Sequence, residues 1–283
     1  MKTKILFLGL VLSLFTVSCS KDNQSSSDQS ITATDAATHA KMDQVSSDVE
    51  DVVESQYFAQ NTTATGKSSA ASESVLPACA TSTLVVTGNT WTRTVDFGTT
   101  GCAMPNGNVL RGKIIASGSV NFTDQSYVIT YSFDNFYHND ALVQGIRTIT
   151  RNVQATTANA TPHPVYVMDM NMSVTFPTLG TYTRVGTRTR ELIAGFDTMT
   201  MADNIYLVSG NWTTTKPNGN SHNLTITNPL KFDIANCPVN KLVQGTIHIS
   251  NTNHYADIDY GTGTCDNIYT VSIDGGTAVS HTF

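Results

Sequence analysis

Residues 166–176 of the chain read Tyr166-Val167-Met168-Asp169-Met170-Asn171-Met172-Ser173-Val174-Thr175-Phe176. Large apolar side chains occupy every second position of this stretch, and polar side chains fill most of the others. A period of two places the apolar residues on one face of a β-strand. Residues 127–134 repeat the pattern. One buried face and one wetted face are typical of antiparallel sheets. We expect the methionine row to fill the core, because thioethers pack adaptably.

Turn sequences separate further alternating stretches between residues 75 and 283. The clearest of them are Pro105-Asn106-Gly107, Pro217-Asn218-Gly219 and Asp274-Gly275-Gly276. Their spacing indicates about a dozen strands joined by short turns. We therefore predict a mostly β fold: a large antiparallel β-meander over residues 75–283, built as a curved sheet or as a sandwich, and preceded by one N-terminal amphipathic helix.

Residues 32–60 show the helical period instead. Apolar residues recur there at intervals of three and four, namely Met42, Val45, Val49, Val52 and Val53. Acidic residues occupy other positions, namely Asp43, Asp48, Glu50, Asp51 and Glu54. The pattern predicts an acidic amphipathic helix capped by Thr34 or Asp35. We expect its apolar stripe to pack on the β domain; a partner-binding helix is the alternative. Residues 61–74 are predicted to be a linker.

Residues 1–18 have the parts of an export signal. Lys2 and Lys4 precede an apolar run from Ile5 to Val17, which is shorter than the roughly 20 residues that a membrane-spanning helix needs. Cys19 then follows Val17-Ser18, and this order resembles the lipobox of bacterial lipoproteins. The resemblance implies that the Cys19 thiol is acylated, with palmitate among the acyl chains, and becomes the new N-terminus. An ordinary signal peptide that contains a cysteine is the alternative.

The residues after Cys19 predict how the chain is attached to the membrane. Residues 19–31 are polar and rich in serine, which predicts a flexible tether from the lipid. Ser20 stands where an aspartate retains some lipoproteins at the inner membrane, so we expect the outer membrane. Lys21-Asp22-Asn23 partly resembles a surface-export signal. The periplasmic and the cell-surface faces both stay open.

Four further cysteines predict two disulfides, because an even number in an exported chain argues for pairing. Three pairings are open. We predict Cys79–Cys102 and Cys237–Cys265, since each pair brackets a similar segment. In that pairing an Asp-aromatic-Gly motif precedes the second cysteine of each pair. Each bridge is expected to stabilise the fold by roughly 3–4 kcal/mol.

Several of these segments resemble a group of uncharacterised Bacteroidota lipoproteins. The segments are Asp96-Phe97-Gly98-Thr99-Thr100-Gly101-Cys102, Arg111-Gly112-Lys113-Ile114-Ile115, Phe133-Asp134-Asn135-Phe136-Tyr137 and Asp259-Tyr260-Gly261-Thr262-Gly263-Thr264-Cys265-Asp266-Asn267. The resemblance covers most of residues 75–283 and includes the acidic helix. It implies the envelope location and this architecture, and it assigns no catalytic residue.

The net charge of the chain and the motifs that it lacks argue against several classes of function. The net charge is −6 without any Lys/Arg-rich run, which argues against a nucleic-acid partner. Neither a phosphate-binding glycine loop nor a Gly-x-Ser-x-Gly elbow occurs, so we assign no cofactor and no catalytic residue. Asp257, Asp259 and Asp266 form a candidate calcium site; a strand end with a glycine turn is the alternative. The candidates for an aromatic ligand platform are Trp91, Trp212, Tyr137, Tyr206 and Tyr255. The alternative is that these side chains pack in the core.

These patterns favour a membrane-anchored lipoprotein that acts as a non-enzymatic binding or structural module. Its partners would be the membrane, through the lipid, and a glycan or protein ligand. A polysaccharide-directed hydrolase is the first alternative, and it predicts two close carboxylates in one cleft. A lipidated outer-membrane β-barrel is the second.

Overall fold

A computed structural model describes residues 30–65, 76–122, 126–198, 200–239 and 242–282, without the side chains of residues 61–65. The predicted signal peptide, Cys19, tether residues 19–29 and linker residues 66–74 lie outside the described residues. Within the described residues, no helix is both long enough and apolar enough to cross a membrane.

The one helix among the described residues, α1, runs from Ala33 to Thr65, past the predicted end at residue 60. Its 33 residues span roughly 50 Å. The cap is Thr32. The Asp35 amide donates to Thr32 Oγ1 at 3.1 Å, and the Thr32 amide donates to Asp35 Oδ2 at 3.0 Å. This reciprocal capping box corrects the predicted cap, since Asp35 supports the cap from the first turn.

In the part of the chain that the structure describes, fourteen antiparallel strands form one sheet. They are β1 (Thr81–Thr87), β2 (Thr90–Asp96), β3 (Cys102–Ala103), β4 (Val109–Ser119), β5 (Ser126–His138), β6 (Ala141–Gln154), β7 (His163–Phe176), β8 (Gly180–Ala194), β9 (Ile205–Thr215), β10 (Ser221–Asp233), β11 (Leu242–Ser250), β12 (Tyr255–Thr262), β13 (Ile268–Ile273) and β14 (Val279–Thr282). Each pairs with its neighbours in chain order, except that β2 pairs with β4 and the short β3 adds to β4. The predicted meander is confirmed as a single sheet.

The sheet curls around the helix. Side chains of α1 reach partners on β1 (Ser82), β5 (His138), β8 (Arg184) and β10 (His222). From residue 42 to residue 57 every position except 44 is buried, including the polar ones. One helix can meet strands so far apart in the sheet only if the sheet is strongly curved. The helix therefore occupies the concave face, and its packing on the β domain is confirmed.

Glycines inside the strands permit this curvature. Gly186 on β8 faces Trp212 on β9, and its φ of +157° is one that glycine adopts freely. A Cβ at Gly186 would lie 2.5 Å from the Trp212 Cα. Gly145 on β6 has a φ of +122°, and a Cβ there would lie 2.4 Å from the Asn171 carbonyl oxygen. Such mid-strand glycines let a sheet bend and let neighbouring backbones approach closely.

The concave face carries the core that the alternation predicted. Met168, Met170 and Met172 are at most 3% exposed, which confirms the methionine row as core. Buried donors contact two of the three sulfurs. The Tyr131 hydroxyl donates to Met168 Sδ at 3.2 Å, and the Arg147 guanidinium contacts Met172 Sδ. The thioethers therefore pack against polar groups as well as apolar ones.

Both predicted disulfides are present. The Cα atoms of Cys79 and Cys102 lie 5.8 Å apart, and those of Cys237 and Cys265 lie 5.5 Å apart. The bridges close separations of 23 and 28 residues. The Cys79–Cys102 bridge joins the segment before β1 to β3. The Cys237–Cys265 bridge joins the segment before β11 to the residues after β12.

The repeated Asp-aromatic-Gly motif has the same local structure in both copies. The Gly98 amide donates to Asp96 Oδ1 at 2.8 Å, and the Gly261 amide donates to Asp259 Oδ1 at 2.8 Å. Both glycines have positive φ, +72° and +87°. Glycine adopts such angles freely, so both copies of the motif turn the chain in the same way.

Candidate functional site

Strand β8 places three arginines under the helix. Arg184, Arg188 and Arg190 stand at even spacing, so they share the concave face. Each is at most 6% exposed. No sequence motif marks these arginines, although their spacing predicts a common face. Arginine is almost never fully buried unless it is paired, so the row requires counter-charges.

The helix supplies these counter-charges. Its acidic residues Asp43, Glu50, Asp51 and Glu54 are buried, whereas a helix packed by its apolar stripe alone would expose them. Ion pairs connect the arginines of β8 with these acidic residues. At one end Arg184 contacts Asp43. At the other end the pairs are Arg188 Nη1–Glu50 Oε1 (3.6 Å), Arg190 Nη2–Asp51 Oδ1 (2.8 Å) and Arg190 Nη1–Glu54 Oε2 (3.6 Å).

Arg190 is the centre of this network. Burial alone would lower the pKa of Arg190, but the charges of Asp51 and Glu54 outweigh it and hold that pKa above its usual value. Burial raises the pKa of Glu54, although Arg190 and a hydrogen bond from the Tyr206 hydroxyl (2.8 Å) oppose the shift. The guanidinium also lies 3.7 Å from the centre of the Tyr206 ring. Its contacts are all internal, which indicates a structural role.

A cleft of about 630 Å³ opens at one end of the sheet, beside the N-terminal half of α1. Its walls come from the helix, the β3–β4 loop, the β5–β6 and β7–β8 turns, and strands β13 and β14. We call this space the end cleft. Its side chains with amide or charged groups are Lys41, Gln44, Asn106, Asn108, Asn139, Asp140 and Asn267.

A buried carboxylate holds three of these walls together. Asp48 on α1 is 3% exposed. It accepts hydrogen bonds from Asn106 Nδ2 (2.9 Å), Asn108 Nδ2 (2.8 Å) and His138 Nε2 (2.8 Å). The Asn139 amide continues the network by donating to Asn108 Oδ1 at 3.0 Å. The polar edge of the end cleft is therefore held in place by hydrogen bonds within the protein.

Replacing Asp48 with asparagine is expected to lower the free energy of unfolding by about 1–3 kcal/mol. Both oxygens of Asp48 accept hydrogen bonds, so the Nδ2 group of the new asparagine would place a donor against a donor and leave a polar group without its partner. Urea denaturation measures the loss. Asp140→Asn is the control, because Asp140 lies in the same cleft but is exposed. Equal stabilities of the two variants would contradict the anchoring role of Asp48.

The three candidate calcium ligands have separate partners. Asp257 Oδ1 lies 2.7 Å from His248 Nδ1, and Asp266 accepts a hydrogen bond from the Ile268 amide at 3.2 Å. Asp259 holds the glycine turn described above. Among the described residues, no group of three or more His, Cys, Asp or Glu is arranged to hold a metal ion. The structure does not bring the three aspartates together as a ligand set.

The aromatic platform is not formed. Trp91, Trp212 and Tyr206 are core residues, each at most 3% exposed. Tyr137 lies beneath the Arg111 guanidinium, 3.9 Å from ring centre to Cζ. Tyr255 alone of the five is exposed. The end cleft was not predicted from the sequence, because the residues that line the cleft come from separate turns and share no motif.

Comparison with known proteins assigns no family, since no family model, no curated protein and no solved structure matches the chain. The geometry of the charged interior and of the end cleft is therefore the basis for a functional proposal.

Proposed function

We propose that the chain is a lipid-anchored, non-enzymatic binding module of the bacterial envelope, and that the end cleft is its ligand site. One observation carries the proposal. The helix fills the concave face, and the end cleft stays open with polar groups that Asp48 holds in place. Its volume falls within the range of roughly 300–1,000 Å³ that is usual for small-molecule sites.

The acid chemistry of the cleft supports a binding role over hydrolysis. Asp140 is the one carboxylate among the described lining residues. Glycoside hydrolysis ordinarily needs two carboxyl groups about 5–10 Å apart across the substrate. The nearby Asp48 is buried and its oxygens are occupied by three donors. A second cavity beside Asp43 and Asp48 measures only about 50 Å³, which leaves room for water but not for a sugar chain.

The anchor part of the proposal rests on the leader sequence and Cys19. Each buried methylene contributes about 0.8 kcal/mol, so several acyl chains hold a protein firmly on a bilayer. Metabolic labelling with a palmitate analogue is expected to mark the wild-type chain and not Cys19→Ala. The variant is also expected to leave the membrane fraction as a soluble protein. A Cys19→Ala chain that stays in the membrane would contradict lipid anchoring.

The binding part is tested with a cleft-filled variant. Gln44 lines the end cleft, so Gln44→Trp places a bulky ring in it. Thr225→Trp adds the same ring to the exposed outer face of β10 and serves as the control. Full-length proteins in detergent are incubated with envelope extract and analysed by native mass spectrometry. We expect a bound small molecule on wild type and on the control, and none on Gln44→Trp. Equal loading of all three proteins, or no loading, would overturn the proposal.

A further inference from the structure

We infer that the ligand of the end cleft is an uncharged saccharide. The inference rests on the proposed function, since it names the chemical class that this cleft accepts. Three properties of the lining carry it: the amide groups, the charge balance and the apolar wall.

The amides come first. Five amide side chains line the cleft, namely Gln44, Asn106, Asn108, Asn139 and Asn267. An amide presents a donor and an acceptor side by side, which fits adjacent hydroxyl groups, each of them both donor and acceptor. The hydrogen bonds among Asn106, Asn108 and Asp48 fix two of these groups in position. An amide NH2 has two hydrogens and an amide oxygen has two lone pairs, so a group that is held by one internal hydrogen bond can still bond a ligand hydroxyl.

The charges come second. Lys41 and Asp140 contribute one charge of each sign, and both are exposed. His138 is bonded to Asp48, and both are 3% exposed. The described lining therefore has no cluster of cations, whereas phosphate and carboxylate ligands are usually held by charge-assisted bonds from arginine or lysine. The balance favours an uncharged ligand.

The apolar wall comes third. Phe176, Pro177 and Leu179 line the cleft from the end of β7 and the β7–β8 turn. The Phe176 ring is held edge-on by Tyr182 at 5.8 Å between centroids. A pyranose ring has hydroxyl groups at its rim and C–H groups on its faces, so it matches a cleft whose lining combines amide groups with an apolar segment. A lipid chain would instead require apolar lining throughout.

Asn139 offers a sharp test because its backbone has a φ of +53°. Glycine adopts this angle freely, so Asn139→Gly removes the amide without backbone strain. Asn135 has a φ of +45° and is exposed outside the cleft lining, so Asn135→Gly is the matched control. Full-length proteins are screened on an array of neutral saccharides, uronic acids, sugar phosphates and peptides, and affinities are then measured by calorimetry.

We expect a neutral saccharide to bind wild type and Asn135→Gly equally, and Asn139→Gly at least ten-fold more weakly, with little dependence on salt concentration. Binding only to uronic acids, sugar phosphates or peptides would overturn the saccharide inference while leaving the binding module intact. No array binding, or equal binding by both glycine variants, would also overturn it. Failure of the Gln44→Trp experiment would remove the proposed function itself.

Discussion

Replacing Arg190 with methionine is expected to lower the free energy of unfolding by about 3–5 kcal/mol. Methionine keeps much of the side-chain volume but removes the charge. Asp51 and Glu54 then lose their nearest cation, and Glu50 keeps only Arg188, 3.6 Å away. An uncompensated buried carboxylate is costly because the interior cannot solvate it as water does. Urea denaturation measures the loss.

Two controls separate the buried charge from other effects. Lys113→Met removes a surface pair with Asp96, whose side chains are 43% and 37% exposed, and is expected to cost less than about 1 kcal/mol. The triple variant Arg190→Met/Asp51→Leu/Glu54→Met removes the stranded carboxylates together with the cation. It is expected to be more stable than Arg190→Met alone, since apolar replacement of a whole buried ion cluster is often neutral. A triple variant less stable than the single one would refute this account.

The strand pattern predicted the sheet well because its signal is local. The alternation around Met170 specifies which side chains face the core, and consecutive strands with short turns leave a meander as the simplest topology. The two disulfides followed from repeated segments. The helical period also predicted the helix. The capping residue, however, is Thr32 rather than Thr34 or Asp35, and the helix ends at Thr65 rather than at residue 60.

The burial of the acidic residues was not predictable from the helix alone. A period of 3.6 identifies the apolar stripe, and the remaining face is usually assigned to solvent. Whether an acid such as Asp43 is buried depends on Arg184, which lies 141 residues away in the sequence. Matching the spacing of charges on β8 with that on α1 would have suggested the pairing.

The end cleft depends on contacts that are still more remote. Asp48 meets Asn108 and His138 across separations of 60 and 90 residues. Their approach requires the sheet to curl, and the curl requires residues such as Gly186 to accept a close neighbour. Single-residue patterns carry no information about how far a sheet bends, so neither the cleft nor its amide lining was foreseen.

Acid is expected to destabilise the fold through a buried pair of histidines. His39 Nε2 on α1 lies 3.0 Å from His222 Nδ1 on β10, and both residues are at most 2% exposed. Burial lowers the pKa of both, and the charge of Arg184 lowers that of His39 further. Asp35 opposes these shifts, and Lys216 adds to them.

The sign of the effect follows from these lowered pKa values. As the pH falls below about 6.5, the two histidines bind protons in the unfolded chain but not in the folded chain. The free energy of unfolding therefore decreases below that pH, and these histidines do not change it above that pH. Each histidine contributes a slope of at most about 1.4 kcal/mol per pH unit, which is approached only between its folded and unfolded pKa values. Asp35, whose pKa is lowered below 3.8 by Lys216 and Thr32 despite burial, acts only at lower pH.

Urea denaturation between about pH 7 and pH 5.5 tests the slope in wild type and in His39→Gln/His222→Gln. Glu54 acts in the opposite direction, because its raised pKa makes the folded state bind a proton, so the variant must be compared with wild type at each pH. The double variant is expected to lose most of the acid sensitivity, whatever its stability at pH 7. Thr225→Gln changes an exposed residue of β10 that does not titrate and should leave the slope unchanged. Equal slopes for wild type and the double variant would show that the buried pair does not couple protonation to folding.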